Sequence, residues 1–143
     1  MKHPCLSRRR ALGALSLGAT GPFALSACGA PEDEGFGDAE AVQATDGAVP
    51  LSDLPENATT IVNFGGQRPF VVVVRGEGKD IHAMSAYCTH HGCAVALKGD
   101  ELDCPCHGSV FDATTGDVLR PPAPEPLPAV TVKIDGDMLR RAG

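Results

Sequence analysis

Cys88-Thr89-His90-His91-Gly92-Cys93 and Cys104-Pro105-Cys106-His107-Gly108-Ser109 are the two stretches on which the reading of this chain turns. Each offers one cysteine and one histidine to a metal centre, as Cys-x-His in the first and Cys-x-x-His in the second. Each also carries one further cysteine, Cys93 and Cys106. Thiolate sulfur and neutral imidazole nitrogen serve zinc and iron alike, so a tetrahedral zinc site and an iron–sulfur centre both stand open on ligand type alone. In an extended loop residues i and i+2 point to the same side, which suits Cys88 and His90.

Outward from these segments the chain reads as short strands. Thr59-Thr60-Ile61-Val62-Asn63-Phe64 and Phe70-Val71-Val72-Val73-Val74-Arg75 are β-branched runs separated by Gly65-Gly66-Gln67-Arg68-Pro69. Gly76-Glu77-Gly78-Lys79-Asp80 is a turn cluster, and Ile81 to Ala86 follows as a third strand. Val71 to Val74 lacks alternation, which predicts burial on both faces. Ala129 to Ile134 alternates, turns at Asp135-Gly136 and returns through Met138-Leu139-Arg140 as a second hairpin. No stretch after residue 48 shows helical periodicity. The fold class expected is all-β, a small antiparallel sandwich or barrel over residues 49–143.

Composition agrees. The 143 residues include 17 Gly and 12 Pro but only five Phe, one Tyr and no Trp. A core so poor in aromatics calls for a covalent or metal staple. Charge is segregated: Lys2, Arg8, Arg9 and Arg10 are the only charged residues before Cys28, and all 18 acids lie after it. Removal of residues 1–27 would leave 8 basic and 18 acidic side chains, a net of about −10. Phosphates would be repelled by such a surface, which argues against nucleic acid. A basic protein partner, such as a cationic c-type cytochrome, would be attracted.

The two Cys/His segments stand thirteen residues apart and resemble the ligand loops of the Rieske family. There Cys2His2 ligation holds a 2Fe-2S cluster with both histidines on one iron. The resemblance covers about residues 49–143 and is strongest over 86–112. It implies a Rieske-type fold whose cluster-binding subdomain is made of the two loops. It assigns Cys88 and Cys104 to the inner iron and His90 and His107 to the outer one. It pairs Cys93 with Cys106, as in the disulfide-containing, high-potential branch; the bond would close a loop of about 14 residues, worth roughly 3 kcal/mol in the chain-entropy account. Gly92 and Gly108 would let the backbone approach the sulfides at positive φ. Arg120-Pro121-Pro122-Ala123-Pro124-Glu125-Pro126-Leu127-Pro128 resembles the proline loop that covers the third side of the cluster, with Pro122 beside it. The extra cysteine pair and Gly108-Ser109 weigh against zinc.

Two departures from the family pattern bear on the chemistry. Ser109 matches a serine that donates a hydrogen bond to cluster sulfur, whereas Phe111 stands where high-potential members have a tyrosine. Mixed ligation implies a potential of about −150 to +300 mV. Loss of one donor, about 1 kcal/mol, lowers it by roughly 40 mV, so an intermediate value is expected. His91 occupies a position usually apolar, and its expected place is the exposed surface. His82, in a strand, is expected to be structural.

The N-terminus reads as an address. A basic region (1–10) precedes an uncharged run (11–27), the order of a signal peptide. Ser7-Arg8-Arg9-Arg10-Ala11-Leu12 resembles a twin-arginine signal, with Ala11 a departure where a bulky apolar residue is usual. Leu25-Ser26-Ala27-Cys28 resembles a bacterial lipobox, which would make Cys28 the acylated first residue of a lipoprotein. Residues 28–48 are acidic and Gly/Ala-rich, and read as a flexible tether reaching roughly 25 Å. The expected protein is a single-electron carrier, lipid-anchored on the outer face of a bacterial cytoplasmic membrane, serving a cytochrome or oxidoreductase and in contact with quinol only in some settings. The alternative is a fixed subunit of a quinol–cytochrome c reductase or of a periplasmic oxidase of the arsenite-oxidase kind. No catalytic residue is assigned, because the domain shows no hydrolase nucleophile or nucleotide-binding motif.

Overall fold

A computed structural model describes residues 41–143. The expected signal segment, the expected lipobox with Cys28 and the expected tether up to residue 40 lie outside the described residues. The elements are β1 (Val42–Gln43), β2 (Ala48–Pro50), a 3-10 turn (Leu51–Asp53), β3 (Ala58–Asn63), β4 (Phe70–Arg75), β5 (Ile81–Ser85), β6 (Ala96–Lys98), β7 (Glu101–Asp103), β8 (Val110–Asp112), β9 (Val118–Arg120), β10 (Val132–Asp135) and β11 (Met138–Arg141). The all-β expectation holds. Three sheets form, in the orders β1-β3-β4-β5, β10-β11-β2 and β6-β7-β8-β9.

The unbroken valine run of β4 is the centre of the fold. Ile61 pairs with Val72 and Val62 with Val71, so β3 and β4 form a regular antiparallel hairpin. Successive side chains point to opposite faces. Val72 and Val74 pack with Ile61, Met84, Leu102 and Phe111 in one core, which also contains Cys88 and Cys104. Val71 and Val73 pack with Val49, Leu54, Val62 and Leu139 in the other. All four valines are buried, each worth about 2 kcal/mol in water-excluded surface. One strand thus divides the base of the domain from the part that carries the candidate ligands.

The folded region starts earlier than residue 49. Val42 and Gln43 pair in parallel with Val62 and Asn63 of β3, and Val49 is fully buried. The pairing covers the open edge of β3, whose backbone groups need partners. Asp46 and Gly47, both at positive φ (52° and 70°), make a two-residue turn closed by Thr45 N–H to Ala48 O (2.8 Å) and Ala48 N–H to Thr45 O (3.0 Å). Asp-Gly is a hairpin signal that the acidic composition around it obscures. The last run also differs. Ala129 bridges Met84 and Val130 N–H donates to Ala83 O (2.9 Å), so these two residues extend the β5 edge and β10 begins only at Val132.

Arg75 ties the base together. Its Nη1 donates to the carbonyls of Leu51 (2.6 Å) and Leu54, and its Nη2 meets Glu56 Oε1 at 3.0 Å. His82 Nε2 donates to Thr114 O at 2.8 Å, in agreement with a structural role.

Asp112 shapes the turn that leads into β9. Its Oδ1 accepts the N–H groups of Thr115 and Thr114, both at 2.8 Å. These two backbone donors hold its carboxyl below the usual carboxylate range. A folded pKa below the unfolded one contributes stability that is complete above about pH 4 and is lost as pH falls through the folded value. Asp112→Asn, which keeps an acceptor but no charge, is expected to lose about 1 kcal/mol at pH 7 and to lie closer to the wild type at pH 3. Denaturant titrations at the two pH values measure the gap; a gap equal at both would show that the charge does not hold the turn.

Candidate metal centre

The two motif segments fold into the same turn. Cys88 N–H donates to Cys93 O (2.8 Å) and Gly92 N–H returns to Cys88 O (2.8 Å). Cys104 N–H donates to Ser109 O (2.8 Å) and Gly108 N–H returns to Cys104 O (3.0 Å). In both, the glycine four residues after the first cysteine has a φ of 76–77°, a conformation that side-chain-bearing residues rarely adopt. The leading cysteines, Cys88 and Cys104, are each 2 % exposed and belong to the core beneath the loops. The histidines stand further out, with His107 exposed and His90 half-buried.

Donors of one kind gather together. The ring nitrogens of His90, His91 and His107 lie within 4.8 Å of one another, and the Cys104 thiol lies within the same distance of the paired sulfurs of Cys93 and Cys106. The Cys88 side chain is close enough to the Cys104 thiol to act on it electrostatically. The His90 and His107 rings meet edge to face, 4.8 Å between centroids. Sulfur inside and nitrogen outside is a donor set with two unlike ends, which suits a two-metal centre better than one tetrahedral ion.

The electrostatics of the donors are mixed. Burial pushes the Cys104 thiol pKa up, the Cys106 N–H opposes it, the Cys88 side chain adds to the rise and the His107 N–H also opposes it. Those backbone donors favour the thiolate that a metal requires. Burial, then the His91 and His107 rings, lowers the pKa of His90 and favours the neutral ligand form. His90 Nδ1 is buried and lacks a hydrogen-bond partner. Leaving such an atom unpaired costs about 1–3 kcal/mol, a cost that a metal bond removes. The residues therefore fit a metal centre held by sulfur below and imidazole above.

Two further ties hold the loops. Cys93 and Cys106 form a disulfide, with Cα atoms 6.5 Å apart. The segment from Arg120 to Pro128 crosses both turns: Ala123 N–H donates to Ser109 Oγ (3.0 Å), and Thr89 Oγ1 donates to Glu125 O (2.7 Å). The Pro121–Pro122 peptide is cis, and Pro122 is exposed. Leu127, buried, is fixed by its N–H to Gly116 O (3.0 Å). A Cβ at Gly116 would come within 2.6 Å of Met84 Sδ, so only glycine fits under this segment.

The structure brings the residues of the two segments together and adds features that the sequence did not announce. Ser109 is fully buried, and because its oxygen accepts from Ala123 its hydroxyl proton remains available to a sulfur acceptor. Phe111 is fully buried in the core that contains Cys88 and Cys104. His91 is exposed as expected, yet its ring lies 4.0 Å from that of His90 and 5.0 Å from that of His107. Its adjacency to His90 is the only signal the sequence offers for that cluster. Arg68 was read only as part of a turn; its guanidinium lies 4.6 Å from the centroid of the Tyr87 ring, beside Cys88.

Comparison with known proteins agrees with this geometry. The family description "Rieske 2Fe-2S domain" matches residues 47–131. The chain is 39 % identical over 77 residues to the cytochrome b6-f complex iron-sulfur subunit of Synechococcus sp. (strain JA-3-3Ab), a match covering 52 % of this chain and 44 % of that protein. It is 33 % identical over 90 residues to the subunit of the same name from Chlorobaculum thiosulfatiphilum, covering 62 % and 48 %. The chain thus spans about half the length of the curated relatives it matches. The structure of the cyanobacterial plasma membrane Rieske protein PetC3 from Synechocystis PCC 6803 is similar at a TM-score of 0.52 and 33 % identity, over 66 % of this chain and 95 % of that one. A chain of a hyperthermophilic respiratory Complex III is similar at 0.51 and 26 %, over 66 % and 73 %. The chain belongs to the Rieske 2Fe-2S family, and its cofactor is a 2Fe-2S cluster.

The disulfide closes a loop over a sequence separation of 13. The double variant Cys93→Ser/Cys106→Ser is expected to lose roughly 3 kcal/mol of stability on the loop-entropy account. Denaturant unfolding with and without a thiol reductant measures it. A wild type that reductant does not weaken, beside a double variant of equal stability, would show that the proline segment alone holds the loops.

Proposed function

We propose, from membership of this family, that the protein is a membrane-tethered one-electron carrier in which Cys88 and Cys104 hold one iron and His90 and His107 the other. The observation that carries the reading is the split of donors by depth: two buried thiols below and a half-buried and an exposed imidazole above. When bound, the cluster takes up and gives up a single electron, and mixed ligation favours uptake relative to all-cysteine ligation. The residues of the chain do the rest. The disulfide and the proline segment hold the two turns in one geometry, so little reorganisation accompanies the change of charge. Ser109 offers its proton inward. The imidazole edges of His90 and His107 form the contact through which a partner approaches.

The tether reading rests on the sequence before residue 41. Cys28 in Leu25-Ser26-Ala27-Cys28 would be acylated after export through the twin-arginine route, placing the domain on the outer face of a bacterial cytoplasmic membrane. The likeness to a plasma membrane Rieske protein, of which this chain covers 95 %, supports a membrane location. The partner is then a redox protein, a cytochrome by preference, attracted by the acidic surface. A second reading, a fixed subunit of a quinol-oxidising complex, is favoured by the b6-f subunits among the relatives. Purification in mild detergent separates the two: a stable stoichiometric partner supports the subunit, and a single chain supports the carrier.

The reduced protein is expected to give the electron paramagnetic resonance signal of a mixed Cys/His-ligated 2Fe-2S cluster, absent from His90→Ala and His107→Ala. Survival of the signal in either variant rejects that ligand. Labelled palmitate should enter the wild type and not Cys28→Ala; equal labelling of both rejects the anchor.

A further inference from the structure

The turn between β3 and β4 carries a cation that the ligand set does not use. Arg68 has a φ of 53°, the left-handed region that a side-chain-bearing residue seldom occupies. Such conformations persist where the surroundings fix them, and they gather at functional positions. Here Arg141 Nη1 donates to the Arg68 carbonyl at 3.1 Å and pins the backbone. The Arg68 guanidinium then lies over the ring of Tyr87, the residue before Cys88. On its far side, a Cβ built on Gly92 would sit 3.8 Å from Arg68 Nη2. The charge is therefore held against both ends of the Cys88–Gly92 turn, in a cleft of about 390 Å³ that Cys88, His91 and Glu125 also line. Glu125 and Arg68 share the cleft, yet no ion pair joins them among the described residues.

We propose that Arg68 is a positioning residue that sets the reduction potential by holding a permanent positive charge beside the first ligand turn. The proposal rests on the ligand assignment above. Reduction adds negative charge to the site, and a fixed cation at its flank stabilises that state. Arginine suits the task because it stays protonated and its planar group stacks on an aromatic face. The placement makes good part of the loss at Phe111, whose ring cannot donate a hydrogen bond. Acidic residues outnumber basic ones in the chain, so this cation acts against the prevailing field.

The test is a redox titration of the cluster-loaded wild type, Arg68→Gln, Arg68→Lys and Glu125→Gln, followed by the resonance signal of the reduced state. Arg68→Gln is expected to shift the equilibrium about threefold toward the oxidised form, about 28 mV at 59 mV per tenfold change. Arg68→Lys should keep most of the wild-type value. Glu125→Gln keeps its backbone carbonyl and removes an anion from the same cleft, so it should shift the equilibrium the other way by about twofold. It reads the same field if Arg68→Gln fails to retain the cluster. Unchanged potentials in both Gln variants, with the signal intact, overturn this inference alone. A Lys variant displaced as far as the Gln variant also overturns it, because packing and not charge would then be at work. A wild type without the mixed-ligand signal removes the ligand assignment, and this inference with it.

Discussion

The bond between Cys93 and Cys106 joins two turns that share no strand pairing with each other. Each turn is a loop of backbone hydrogen bonds around one buried cysteine, closed by a glycine at positive φ. Sulfur must face inward from both at once, and imidazole must face outward from both. A covalent link at the edge, and a proline segment hydrogen-bonded to each turn, meet that demand without a large core. The small aromatic content explains why: there is little apolar bulk to do the same job.

Polar chemistry around the site follows depth. Ser109 is fully buried, and its oxygen is committed to Ala123 N–H. Phe111 adds apolar bulk where a hydroxyl would have been a second donor. His91 brings a third ring to the exposed end, edge-on to His90 and tilted against His107. A third imidazole gives that end of the site a polar, water-accessible surface.

Much of this was legible in the sequence because the signals were local. Valine runs, turn clusters and the Asp135-Gly136 hairpin correctly placed β3, β4, β5, β10 and β11 within a residue or three. The four ligand candidates and the cysteine pair were legible through the resemblance of the two loops to those of the Rieske family. What escaped notice depends on distant partners. β1 exists because β3 has an edge to cover, and no property of Val42-Gln43 alone announces it. The split of Ala129-Val130 from β10 depends on the open edge of β5. Arg68 belongs to an ordinary-looking turn until Tyr87 and Gly92 are folded onto it.

The two-faced burial of β4 bears on how the molecule fails. Val71 and Val73 serve the base, while Val72 and Val74 serve the layer under the cysteines. A single strand common to both cores couples the packing of one to the packing of the other. Damage to β4 is therefore felt at once by the base and by the layer under the cysteines.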